Sequence, residues 1–138
     1  MEQSGELRDV MLAFYDALSR GDLEFFDRHF SNAREVRAIG TDPGEWWRGG
    51  AAVSGVWKEQ IEALGGSMNI TPGDLEAFTE GSVGWVADRA TFNLPDGSSL
   101  PIRFTAVFHT EDGDWKLVQS HGSIGVSNEE SIGEELPT

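Results

Sequence analysis

Two Asp-Gly pairs place the strongest constraint on this chain. They lie in Pro95-Asp96-Gly97-Ser98 and Glu111-Asp112-Gly113-Asp114, each between runs of alternating apolar and polar residues. Asp-Gly supplies the positive φ that a tight hairpin turn requires, so the flanking runs are expected to pair as neighbouring antiparallel strands. Taking each turn as a two-residue loop, Glu111 pairs with Asp114 and Pro95 with Ser98. Counting away from the turns aligns Trp85, Phe108 and Leu117 in one row and Ala87, Ala106 and Gln119 in the next. Arg89, Phe104 and His121 form the third row. Directly paired residues share a sheet face. The opposite face carries a Val86, Val107, Val118 row and an Asp88, Thr105, Ser120 row. The bulkier first set is expected against the core. That choice rests on parity, because a loop with an odd number of residues exchanges the two faces.

The remaining elements follow from spacing. Leu7, Val10, Met11, Phe14 and Leu18 recur at helical intervals, with Ser4 as N-cap and Gly21 as stop. Asp22 can cap a short second helix carrying Leu23, Phe26 and Phe30. Val36, Ala38 and Gly40 alternate with Arg37, Ile39 and Thr41 as in a strand, which Asp42-Pro43-Gly44 ends. A third helix carries Val53, Val56, Trp57, Ile61 and Leu64, and Gly65-Gly66 terminates it. Strands are expected over about 68–79, 83–94, 99–110 and 114–124, the first kinked or bulged at Pro72-Gly73. Helices first and an antiparallel meander after them make an α+β arrangement, with helices covering one face of the sheet.

Composition narrows the function classes. The chain has 138 residues, which suits a single domain. We read residues 1–126 as that domain and 127–138 as a polar, acidic, frayed tail. With 10 Lys and Arg against 24 Asp and Glu, the formal charge is -14. A nucleic-acid binder neutralises phosphates with clustered cations, and an anionic membrane surface attracts them, so neither partner is expected. The absence of cysteine excludes a disulfide framework, a thiolate metal site and a cysteine nucleophile. The first residues lack a basic and then apolar leader, and no apolar run reaches the roughly 18–20 residues that span a bilayer. A cytoplasmic location is the expectation. Glu111-Asp112-Gly113-Asp114 lacks the remaining ligands of a calcium loop. His121-Gly122-Ser123-Ile124-Gly125 lacks the first glycine and the following helix of a nucleophile elbow. No metal and no cofactor is expected.

In the register above, the covered face is not uniformly apolar. Arg89 and His121 lie two strand spacings apart, roughly 10 Å, and the small Ala87 and Ala106 leave volume beside them. An arginine on a covered face is paired or faces a ligand. Polar groups converging on a half-apolar concavity mark a pocket.

Two segments and the order of elements carry a family resemblance. The order is helix, short helix, strand, helix, four strands. The segments are Ile39-Gly40-Thr41-Asp42-Pro43-Gly44-Glu45-Trp46-Trp47-Arg48-Gly49, and Gly113-Asp114-Trp115-Lys116-Leu117-Val118-Gln119-Ser120-His121 with Ser123 after it. Over about residues 5–125 the chain resembles the SnoaL-like group of the nuclear transport factor 2-like superfamily. The resemblance implies a cone-shaped domain whose curved antiparallel sheet wraps the N-terminal helices and encloses a pocket open at one end. It also implies a homodimer through the outer sheet face, here the Val86, Val107, Val118 row. Members include polyketide cyclases, ketosteroid isomerases, dehydratases, epoxide hydrolases, transport factors and kinase assembly domains, so fold alone does not fix function. Cyclase-like members use an Asp and His pair; His121 matches the position of a histidine frequent on the last strand. Where many relatives carry another histidine, two residues earlier, this chain has Gln119. Isomerase-like members use a tyrosine for the oxyanion, and the single tyrosine here, Tyr15, lies on the first helix.

The candidate site residues follow. His121 is a general acid/base, or else a hydrogen-bonded histidine of the pocket wall or core. Asp42 is its partner at the pocket mouth, or else an Asx turn or cap. Arg89 clamps an anionic ligand group, or else pairs with a carboxylate such as Asp42 or Glu76. Gln119, like Arg89, is a candidate to stabilise an oxyanion. Trp47, Trp57 and Trp85 are candidates to line the pocket, and Trp46 joins Trp47 and Trp57 as an aromatic that otherwise packs the core. The expected function is binding, or conversion by His-assisted proton transfer, of a small hydrophobic molecule. The alternative is a non-catalytic dimerisation or ligand-carrier module.

Overall fold

The computed structural model describes all 138 residues. Its elements run β1 (Glu2–Gln3), α1 (Gly5–Arg20), α2 (Glu24–His29), β2 (Arg37–Ile39), β3 (Trp46–Arg48), α3 (Gly50–Ala63), β4 (Asn69–Thr71), β5 (Glu76–Glu80), β6 (Val83–Asn93), β7 (Ser99–Glu111), β8 (Asp114–Ser123) and α4 (Asn128–Ile132). Ser4 caps α1 by accepting from the Leu7 amide at 3.1 Å, and Gly21 ends it in the left-handed region. Asp22 acts two residues before the start of α2, one before the N-cap position Leu23, its carboxylate accepting from Glu24 N at 3.2 Å. Leu7, Met11, Phe14, Tyr15, Ala17 and Leu18 bury one stripe of α1.

The sheet runs β1-β5-β6-β7-β8-β2-β3, with β4 also on β6. It is curved and unclosed, and it is mixed rather than antiparallel throughout, because β2 runs parallel to β8. The short β3 turns back on β2 after the Asp42-Pro43-Gly44 turn, a strand the sequence pattern did not resolve. The single kinked strand expected over about 68–79 is instead two strands, β4 and β5, interrupted at Pro72-Gly73, and both pair with β6. The tail contains one short helix, α4, capped by Ser127, and all of its residues are exposed. No helix is long and apolar enough to cross a membrane.

The two hairpins differ, and the difference decides the faces. Asp112 and Gly113 both have positive φ, 53° and 85°, and Glu111 pairs with Asp114 as expected. At the other turn only Gly97 has positive φ, and Asn93 pairs with Ser99. The loop is therefore the three residues Pro95, Asp96 and Gly97, closed by Leu94 N donating to Ser98 O at 2.8 Å. Proline holds φ near −65°, which suits the first turn position of a type I turn followed by a left-handed glycine. The odd loop moves Trp85, Ala87 and Arg89 to the outer face, and Val86, Asp88 and Ala90 to the inner one.

A second irregularity acts on β8. Phe108 pairs with Leu117 as expected, but Val107 pairs with Gln119, leaving Val118 as a bulge. Beyond it Ala106 faces Ser120 and Phe104 faces Gly122, while Gln119 and His121 turn outward. One extra residue in a strand reverses every side chain after it.

Asp88 therefore sits inside, 5% exposed. Its carboxylate accepts from Tyr15 Oη at 2.8 Å and from Gly73 N at 3.1 Å, tying the break between β4 and β5 to α1. Gly73 lies so close to β6 that a Cβ there would stand 1.8 Å from the Arg89 carbonyl oxygen. Gly73→Ala should destabilise the fold by about 1–3 kcal/mol in urea unfolding, since only backbone movement relieves that overlap.

Burial raises the pKa of the Tyr15 hydroxyl, and the hydrogen bond to Asp88 and that carboxylate's charge raise it further. An unfolded tyrosine ionises near pH 10. The folded state therefore holds its proton more tightly, and this contribution is complete below about pH 10 and is lost as pH rises beyond it. Near-ultraviolet absorbance of this single tyrosine should titrate only together with global unfolding. Tyr15→Phe should cost about 1–3 kcal/mol by leaving a buried carboxylate oxygen unpaired, and should remove the tyrosine-linked part of the alkaline transition.

Candidate functional site

A cavity of about 180 Å³ lies between α1, α3 and the inner face of the sheet. Its deepest walls are the buried Phe14, Tyr15, Leu18, Ala38, Met68, Phe104 and Ser120. Half-buried Trp47, Val56, Trp57, Ile70, Phe92 and Ile102 continue the wall outward. Exposed Thr41 and half-buried Gly40, Glu45 and Gln60 add a polar edge. The local sequence explains the placement. In β3, alternation aims Trp47 inward beside its partner Ala38, while Trp46 is 54% exposed beneath the Arg48 guanidinium. In α3, Val56, Trp57 and Gln60 share the face that closes the cavity. On the sheet, the three-residue loop and the bulge select Phe104, Ser120 and Gly122.

The expected residues divide accordingly. Trp47 and Trp57 line the cavity. Trp85 is on the outer face, its ring 6.2 Å from that of Phe78. Arg89 is also outside and forms an ion pair with Asp74, Nε to Oδ2 2.9 Å; neither Asp42 nor Glu76 is its partner. Gln119 and His121 are exposed on the outer face. Asp42 is exposed, and its Oδ1 accepts from Gly44 N at 2.9 Å, the Asx-turn alternative. The Asp42, His121, Arg89 and Gln119 constellation is therefore not assembled around the cavity: the three-residue loop turns Arg89 outward, the bulge turns Gln119 and His121 outward, and Asp42 is taken up by its own turn.

No histidine lines the cavity. His29 ends α2 with its ring 4.4 Å from Phe25, and its pKa is lowered by burial and then by the Lys116 and Arg28 charges. His109 contacts Glu111 on the outer face. Ser31 donates to that same carboxylate at 2.5 Å, and the Ser31 hydroxyl together with His109 holds Glu111 below the usual carboxylate range.

The carboxylate at the cavity is Glu45 and not Asp42, three residues earlier. Its Oε1 accepts from Asp42 N at 2.8 Å and its Oε2 from Gln60 Nε2 at 2.7 Å. It lies against Gly40, where a Cβ would stand 2.8 Å from the Glu45 Cβ. The available signal was Gly40 at an apparent strand end and Gln60 on the face of α3 that carries Trp57. Ser120 supplies a buried hydroxyl and Tyr15 a phenol already bonded to Asp88.

Comparison with known proteins agrees with this architecture. An uncharacterised nuclear transport factor 2-like protein from Pseudomonas putida KT2440 superposes with a TM-score of 0.81 at 16% identity, over 98% of this chain and 96% of that one. A Caulobacter vibrioides protein with a cystatin-like fold gives 0.72 at 16% identity, with 91% of each chain covered. A proposed dehydratase of the nuclear transport factor 2-like family from Streptomyces avermitilis gives 0.72 at 20% identity, over 88% of this chain and 95% of that one. At such identities these likenesses concern the fold. A search of curated proteins found no match. The SnoaL-like domain family matches residues 7–127, and the chain belongs to that family.

Proposed function

We infer that this protein binds a small, largely apolar molecule of about one ring in the cavity between α1, α3 and the sheet. The observation that carries this reading is a cavity of about 180 Å³ walled mainly by aromatic and aliphatic side chains. An engineered apolar cavity of roughly 150 Å³ takes up benzene. The polar edge at Glu45 and Gln60 gives such a molecule one place for a hydrogen-bonding group. Binding is favoured over His-assisted proton transfer because His121 stands on the other side of the sheet. The dehydratase description of the Streptomyces relative concerns that protein and does not decide between the two.

Trp47 and Trp57 make the cavity self-reporting. Benzyl alcohol should change tryptophan fluorescence saturably, with an affinity in about the micromolar to millimolar range for so few atoms. Ser120→Leu, which fills the cavity from β8, should abolish that response while thermal stability changes little. A linear, non-saturating response in the wild type would overturn the reading.

A second reading concerns the outer face. Half-buried Val107, Val118 and Ala33 line a shallow groove there, and Trp85 lies beside it with its ring tilted against that of Phe78. Val86, expected in that row, is buried on the inner face and takes no part. This apolar strip supports a homodimer through the sheet. Sedimentation velocity at micromolar concentration should show a dimer that Val107→Asp converts to monomer; a wild-type monomer would sink the idea.

A further inference from the structure

The charge at the cavity departs from that of an ordinary apolar site. None of the chain's 10 Lys and Arg residues and none of its three histidines lines it. Glu45 is the one acidic side chain on the lining, and it takes part in no ion pair. Arginines elsewhere are engaged with other carboxylates, as Arg89 is with Asp74 and Arg28 with Asp22.

The Glu45 carboxylate is also held in place. The Asp42 amide and the Gln60 side-chain amide each take one lone pair, and Gly40 lets the side chain lie flat against the backbone. A carboxylate offers about four acceptor sites, so each oxygen retains one. A fixed acceptor loses little freedom when a donor arrives. Trp47 and Trp57 lie on the same lining, and aromatic walls tolerate a cationic group where aliphatic ones gain nothing from it. Glu45 is only half-buried, so a charged group docking on it keeps part of its hydration and avoids the full desolvation cost of a buried pair.

We propose that the cavity selects a ring-sized apolar molecule bearing a primary ammonium group, with Glu45 as its counter-ion, and discriminates against carboxylates. The assignment rests on the binding reading above and adds the charge of the ligand to it. An anionic ligand of the same size would meet Glu45 with no cation on the wall, inside a chain of formal charge -14. A neutral hydroxyl would gain one hydrogen bond without the charge.

Three probes of one shape test it: benzylamine, benzyl alcohol and benzoate, each titrated against the tryptophan fluorescence of the whole chain at neutral pH. Benzylamine should bind most tightly and benzoate most weakly. Glu45→Gln should weaken benzylamine about tenfold, as loss of a charge-assisted hydrogen bond does, and weaken benzyl alcohol by a clearly smaller factor, because the glutamine carbonyl still accepts from a hydroxyl. Near-ultraviolet circular dichroism and a cooperative thermal transition matching the wild type show that the variant is folded. Gln60→Leu, which frees one Glu45 oxygen from its tether, should weaken benzylamine by a smaller factor. Added salt should weaken benzylamine and leave the alcohol unaffected. If the alcohol binds but benzylamine binds no more tightly, or if Glu45→Gln leaves the order of affinities unchanged, the ammonium assignment is overturned and the cavity reading stands. If none of the three binds, both fall together.

Discussion

Phe14 is the contact on which the domain turns. From the middle of α1 its ring meets Phe25 at 5.5 Å, Phe30 at 5.6 Å, Trp57 at 5.4 Å and Phe104 at 6.3 Å, measured between centroids. Those partners belong to α2, the segment after it, α3 and β7, so one side chain joins three helices to the sheet. Each such pair is worth about 0.5–1.5 kcal/mol beyond its buried area. Phe14, Trp57 and Phe104 are also walls of the cavity. The core and the site are therefore one aromatic assembly, and the cavity is the part of that core where facing side chains fail to meet.

Much of the fold could be read from local chemistry. Helical spacing from Leu7 to Leu18 with Ser4 and Gly21 defined α1, and Asp112-Gly113 defined one hairpin, because these signals act within a few residues. The site was less legible, since it depends on which sheet face is covered, and two single-residue features decide that. One had a visible cause: Pro95 has no N–H to donate across the pair that would close a two-residue loop with Ser98, which argues for the longer loop. The other, the bulge at Val118, has no local signature, because Leu117, Val118 and the residues after them form a regular ladder equally well. Glu45 was hidden for a further reason. Its place at the cavity comes from β3, a three-residue strand too short to show alternation.

The acidic balance of the chain acquires a local meaning at the cavity. Most of the carboxylates are exposed and some are paired with the few cations at the surface. Asp88 is buried, yet two donors satisfy it and it serves to fasten β6 to α1. Glu45 differs from both groups: like Asp88 it is held by uncharged donors, but it is half-buried at the edge of the cavity, so its charge remains available to whatever enters.

The bulge gives β8 two alternative linings within one composition. As folded, the strand offers the cavity a hydroxyl from Ser120 and bare backbone at Gly122. The same residues paired without the bulge would offer an amide from Gln119 and an imidazole from His121. What separates an inert wall from one equipped to exchange protons is thus a displacement of one residue along a ladder, held in its present setting by the parallel pairing of Ala38 with Ser120. In a fold of this kind, new chemistry can arise by relocating a kink as well as by replacing a side chain.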